Sequence, residues 1–114
     1  LVNVRTIAAF FGVLGVGFGA GSAHLMSGAS PDAHEWCKTG TVYWLVHTAA
    51  MLGSGRSDGR ATSSTWLFAA GIALFSGSLY MLALMPDVKW LAHVTPVGGF
   101  TLMAGWLQLV RRKD

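Results

Sequence analysis

Apolar residues fall along the chain in four long blocks separated by short polar segments. The most apolar block, Trp66 to Met85 (WLFAAGIALFSGSLYMLALM), carries no formal charge. An α-helix of about 20 residues, rising about 1.5 Å per residue, covers a hydrocarbon core of roughly 30 Å. Ile7 to Met26 is a second uncharged block of the same length class. Trp36 to Leu52 is shorter and holds Thr39, Thr41, Tyr43, His47 and Thr48, so its helix is expected to begin further back, near Pro31 or Ala33. Trp90 to Val110 is the fourth. The pattern predicts one all-α transmembrane domain, a four-helix bundle with spans at about 6–26, 34–52, 66–85 and 90–110.

The segments between the blocks give the orientation. Ser27 to Glu35 is a polar loop, Gly53 to Thr65 (GSGRSDGRATSST) reads as a flexible one, and Pro86 to Lys89 as a tight turn. Four crossings put both termini and the middle loop on one side, with Arg5, Arg56, Arg60, Arg111, Arg112 and Lys113. Lys38 and Lys89 lie opposite, with Asp32, Glu35 and Asp87. Basic residues collect on the cytoplasmic side of membrane proteins, which predicts N-in, C-in. Trp36, Trp66 and Trp90 fall at the expected interfaces, where amphipathic rings settle.

Periodicity then assigns faces. In the third block Ala69, Ala73, Ser76, Gly77 and Tyr80 share one helical face, expected to pack against other helices. Leu67, Phe68, Leu74 and Phe75 lie mostly elsewhere and are expected to meet lipid. The first block holds two small-xxx-small pairs, Gly15/Gly19 and Gly17/Gly21, which let a neighbouring backbone approach closely. In the fourth, Gly98 and Gly99 are expected to serve helix packing and follow Thr95-Pro96, where a kink is expected. The G-x-G-x-x-A from Gly15 to Ala20 is not a dinucleotide fingerprint, because no strand precedes it and no ribose-binding acid follows. Gly21-Ser22-Ala23 resembles a signal-peptidase site, but the segment is long enough to span and is read as a mature helix.

Composition agrees. Hydrophobic residues make up 53% of the chain and charged ones 11%, against about 25% charged in a soluble domain. Cys37 is the single cysteine, excluding an intrachain disulfide or cysteine-based metal cluster. The formal charge of +3 forms no basic patch suited to nucleic acid.

Four segments carry a family resemblance: G-A-G-S-A-H (Gly19 to His24), Tyr43-x-x-x-His47, F-S-G-S-L-Y-M-L-A-L (Phe75 to Leu84) and T-P-V-G-G-F-x-x-x-A-G-W (Thr95 to Trp106). Together they resemble the YgdD/YwdK family of small four-helix inner-membrane proteins, which has related proteins in eukaryotes. The chain departs from the family pattern at Gly21-Ser22, where members tend to read G-A-F-G-A-H. The resemblance implies a fold and an inner-membrane location, bacterial or mitochondrial. It implies no substrate and no catalytic residue.

Candidate chemistry is sparse. A bis-histidine haem needs both ligands at one depth on facing helices. His47 lies mid-span, whereas His24 and His93 sit near the outer ends of their helices. His24, His93 and His34 could approach one another as a weak metal site, but no fixed-spacing motif supports one. No metal and no cofactor is assigned. Tyr43 and His47, with Ser76, Ser78 and Tyr80, form the candidate polar site within the membrane, because an ionisable side chain at that depth defaults to a functional hypothesis. The structural alternative, a neutral imidazole bonded to a hydroxyl of the third helix, is preferred. No carboxylate is expected inside the spans, which argues against Ser76 or Ser78 as a nucleophile and against proton-coupled transport. The leading expectation is a non-enzymatic structural subunit, partnered by the bilayer and by other membrane subunits or further copies. A lipid- or quinone-headgroup module using Tyr43 and His47 is the alternative, and a haem or metal redox subunit comes third.

Overall fold

The computed structural model describes residues 2–111 and contains four helices in chain order: α1 (Val4–Leu25), α2 (Pro31–Leu52), α3 (Ser63–Leu84) and α4 (Leu91–Arg111). Arg112 and Lys113, used above in assigning orientation, lie outside the described residues. α1, α2 and α3 each begin where a side chain satisfies a first-turn amide. The Asn3 carbonyl accepts from Arg5 N at 2.8 Å, and Ser30 Oγ accepts from Ala33 N at 3.2 Å ahead of Pro31. Proline is tolerated there because its missing donor would have had no helical partner. α3 starts three residues earlier than the apolar pattern suggested. Thr62 Oγ1 accepts from Thr65 N while Thr65 Oγ1 accepts from Thr62 N, a reciprocal cap written in threonines rather than with the usual Glu or Gln.

The helices pack in sequence, α1 on α2, α2 on α3 and α3 on α4. α3 is the hub: half of its most apolar stretch is buried, against 17% for α1. Val4, Ile7, Ala8 and Gly15 are the buried positions of α1, and Phe10, Val13, Val16 and Leu25 remain exposed. The molecule measures 48 × 25 × 18 Å, so the helices run along its length.

Phe68 and Phe75 correct the assignment of faces. Phe68 is fully buried and Phe75 half-buried, whereas Leu74 is exposed as expected. The reason is on α4. Gly105 faces the Phe68 ring, and a methyl group added there would come within 2.8 Å of Phe68 Cδ1. Gly98 lies against the backbone of Phe75 and Leu74, with Gly71 of α3 close to Leu102 in return. Glycines on α4 thus admit phenylalanines of α3 that would otherwise meet lipid. Ile72, Met51 and Leu102 complete this core with Val4, Ile7 and Trp44. α4 continues as helix through Pro96.

The segment read as a flexible loop is ordered. Arg56 N donates to Arg60 O and Gly59 N to Arg56 O, both at 2.8 Å. Val4 N donates to Gly59 O and Ala61 N to Val2 O, stitching this turn to the start of the chain. Gly59 has φ +87°, a conformation that side chains rarely adopt. Ser54 is fully buried and bonds both Met51 O and Thr65 Oγ1 at 2.6 Å.

Candidate functional site

The five residues expected to form one polar site are distributed over three helix contacts. His47 is buried on α2 and uses both ring nitrogens. Nε2 accepts from Trp106 Nε1 of α4 at 3.0 Å, and Nδ1 lies 2.8 Å from Tyr43 O. Indole N–H only donates, so Nε2 carries no proton and Nδ1 donates to the carbonyl: the ring is neutral. Tyr43 is exposed, its ring against Phe75 with centroids 4.4 Å apart. Tyr80 bonds Thr41 across α2 and α3. Ser78 Oγ donates to Phe75 O at 2.9 Å and lies 2.5 Å from Thr95 Oγ1 across α3 and α4. Ser76 Oγ is fully buried with no hydrogen-bond partner among the described residues. No hydroxyl of α3 reaches His47; its partner is an indole.

Other contacts follow the same pattern. Trp44 Nε1 donates to Phe11 O of α1 at 2.6 Å, and Ser64 Oγ donates to Gly105 O of α4 at 2.8 Å. The polar groups therefore act as pins between particular helices. Trp44 and Trp106 were not singled out by periodicity, since an indole in an apolar block reads as bulk. The carboxylates Asp32 and Glu35 fall within α2, but both are exposed in its first turns. No group of three His, Cys, Asp or Glu side chains able to hold a metal occurs among the described residues.

The glycine pairs separate in the same way. Gly15 and Gly19 face Trp44 and Thr41 of α2, where an added methyl at Gly19 would come within 2.8 Å of Thr41 Cγ2. Gly17, Gly21 and Gly77 meet nothing within 4 Å, and Gly99 meets Phe75 only at ordinary contact distance. Gly17, Gly21, Ala73 and Gly77 instead line an apolar groove of about 520 Å³ between α1 and α3, floored by Trp44 and Tyr80. The face of α3 that periodicity treated as one is thus divided: Ala69 and Ser76 are buried, while Ala73 and Gly77 look into the groove.

Four long helices with Trp44, His47, Ser64, Ser78 and Tyr80 hydrogen-bonded between helices, and apolar side chains left exposed along the outside, define an all-α membrane protein. Two of the helices, α1 and α3, are long and apolar enough to cross a membrane on composition alone. α2 and α4 have similar length but are diluted by the pinned polar residues and by charged ends. The chain belongs to the family described as "Protein of unknown function (DUF423)", whose model matches residues 18–99. It is 36% identical to the UPF0382 membrane protein YwdK of Bacillus subtilis over 111 residues, covering 91% of this chain and 89% of that one. It is 42% identical to the UPF0382 inner membrane protein YgdD of Escherichia coli over 105 residues, covering 87% and 79%. A UPF0382 membrane protein of Haemophilus influenzae is 37% identical over 113 residues, covering 91% and 87%. No solved structure matches. The family resemblance and the inner-membrane location expected from the sequence hold. The family description assigns no activity.

Proposed function

We infer that the chain is a non-enzymatic packing subunit of four spans, N-in and C-in, that seats a transmembrane helix in the groove between α1 and α3. The observation that carries this reading is the groove itself. Its walls hold Gly17, Gly21 and Gly77 with nothing within 4 Å. Small residues in membrane helices serve close backbone approach, and within one chain these three serve none. The polar side chains support the same reading, because His47, Ser78 and Tyr80 are engaged in holding helices together. The seated helix belongs to another membrane subunit or to a second copy.

A second reading attaches to the same groove. Its volume lies within the range of about 300–1,000 Å³ usual for small-molecule sites, and Ser22, Cys37 and Tyr80 place polar atoms along an apolar wall. A lipid or quinone tail would fit such a surface. The test is Gly17→Leu with Gly77→Leu, both pointing into open space, followed by native mass measurement after mild extraction. Loss of the partner or dimer mass with an unchanged monomer melting curve supports the packing reading. Unchanged assembly with loss of a bound lipid or quinone favours the second reading, and no change in either refutes both.

A further inference from the structure

We propose that the turn at residues 56–60, with Arg5 beside it, is a binding surface for the phosphodiester headgroup of an anionic phospholipid. Arg56 and Arg60 stand on a turn closed by Arg56 N to Arg60 O and tied to the N-terminal segment by Val4 N to Gly59 O. The Asn3–Arg60 bridge and the positive φ of Gly59 fix the same place. The backbone that carries the two guanidiniums is therefore held in place, which limits the entropy lost when they close on a ligand.

Charge comes next. Asp58 is the carboxylate they share, with Arg56 Nε at 3.8 Å and Arg60 Nε at 3.7 Å, and both guanidinium side chains remain more than half exposed. The Arg60 amide, donating to Asp58 Oδ1 at 3.1 Å, holds the carboxyl below the usual range, followed by the two nearby guanidiniums. Asp58 is thus shared between the Arg60 amide and the two guanidiniums. At this end of the molecule Arg5, Arg56, Arg60 and Arg111 face one carboxylate among the described residues. At the other end Lys38 and Lys89 face Asp32, Glu35 and Asp87. The excess of positive charge belongs to one end.

Depth identifies the partner. Trp66, in the first turn of α3, is 51% exposed, and Leu52 at the end of α2 is 56% exposed. An exposed indole on an apolar helix end marks the headgroup level, and the turn lies just beyond both residues in the chain. A planar guanidinium pairs with a phosphate through two parallel N–H donors. Clusters of basic residues immediately flanking a membrane helix attract anionic lipid through the same field. The position within the headgroup layer commits the surface to lipid rather than to a soluble anion. The inference rests on α2 and α3 crossing the membrane, and the N-in, C-in reading sets only which leaflet supplies that lipid.

The experiment reconstitutes wild type, Arg56→Gln/Arg60→Gln and Asp58→Asn in phosphatidylcholine bilayers containing a minor fraction of phosphatidylglycerol. Lipids retained on each protein are then identified by native mass measurement. Wild type is expected to retain phosphatidylglycerol in preference to phosphatidylcholine. Each basic residue near the surface contributes about five-fold, so the double variant should lose about 25-fold of that enrichment. Asp58→Asn keeps an acceptor for the Arg60 amide and should raise enrichment about five-fold by the same measure. Equal enrichment in wild type and the double variant overturns the proposal, as does displacement of the lipid by inorganic phosphate alone. Should the double variant melt early, Arg56→Lys/Arg60→Lys decides: retained enrichment supports the surface, and its loss in a protein that melts normally overturns it. Labelling of Ser57→Cys from the outer side would reverse the orientation while leaving the lipid readout intact.

Discussion

Gly98 and Gly99 are neighbours in one helix, yet replacing each by alanine should move stability in opposite directions. A methyl group at Gly98 would stand 2.7 Å from Phe75 Cα and 2.8 Å from the carbonyl carbon of Leu74. Carbon atoms prefer separations of about 3.5–4.0 Å, and Phe75 N would be nearer still, so relief requires movement of about 1 Å or more. The obstructing atoms are backbone, and no rotamer change can move them. α3 and α4 must separate, which loosens the seating of Phe68 against Gly105 in the same interface. Overpacking of this kind costs about 1–3 kcal/mol, and a rigid obstruction belongs at the upper end. The change from glycine to alanine in a helix returns about 1 kcal/mol. Gly98→Ala should therefore destabilise by about 2 kcal/mol. At Gly99 the methyl would lie 3.7 Å from Phe75 Cδ1, an ordinary contact. Gly99→Ala should leave stability unchanged or raise it by up to about 1 kcal/mol. Reversible unfolding in mixed micelles, followed by far-ultraviolet circular dichroism, measures both against wild type. Equal stability of the two variants, or a more stable Gly98→Ala, would refute the close α3–α4 crossing.

Two further outcomes are expected. His47→Leu leaves the Trp106 N–H without its acceptor and should cost about 1–3 kcal/mol; adding Trp106→Phe should recover part of that loss, and strict additivity in a double-mutant cycle would mean the two do not interact. Asp58 has its pKa lowered by the Arg60 amide and the flanking guanidiniums. Its contribution is present above the unfolded carboxyl pKa of about 3.9 and disappears as pH falls through the lower folded value, so wild type should lose stability relative to Asp58→Asn below about pH 4 in acid-limb melting curves. A constant difference between the two proteins across that range would count against the turn geometry.

The number of helices was legible in the sequence because polar segments set the four apolar blocks apart, which local composition reports. The start of α2 near Pro31 was expected from the shortness of its apolar block, and Ser30 caps it there. The start of α3 was missed at Thr62, where threonine takes both capping roles. The family was legible too, through the motifs around Phe75 to Leu84 and Thr95 to Trp106. The orderliness of the turn at residues 56–60 was not, because its polar letters look the same whether or not its amides find carbonyls. Those carbonyls and amides come partly from Val2 and Val4, more than fifty residues earlier.

What only the tertiary structure decided is which face meets which neighbour. At about 100° per residue, Gly15/Gly19 and Gly17/Gly21 point in widely different directions, yet both read as small-xxx-small. The fold buries the first pair against Trp44 and Thr41 and leaves the second on an open groove. His47 was legible as an inward-facing polar residue. That its acceptor nitrogen meets Trp106, 59 residues away, depends on the relative rotation of α2 and α4. Periodicity fixes a residue's angle about its own helix axis. The angle and register between two axes come from side-chain volumes on both helices at once, as when Gly105 makes room for Phe68.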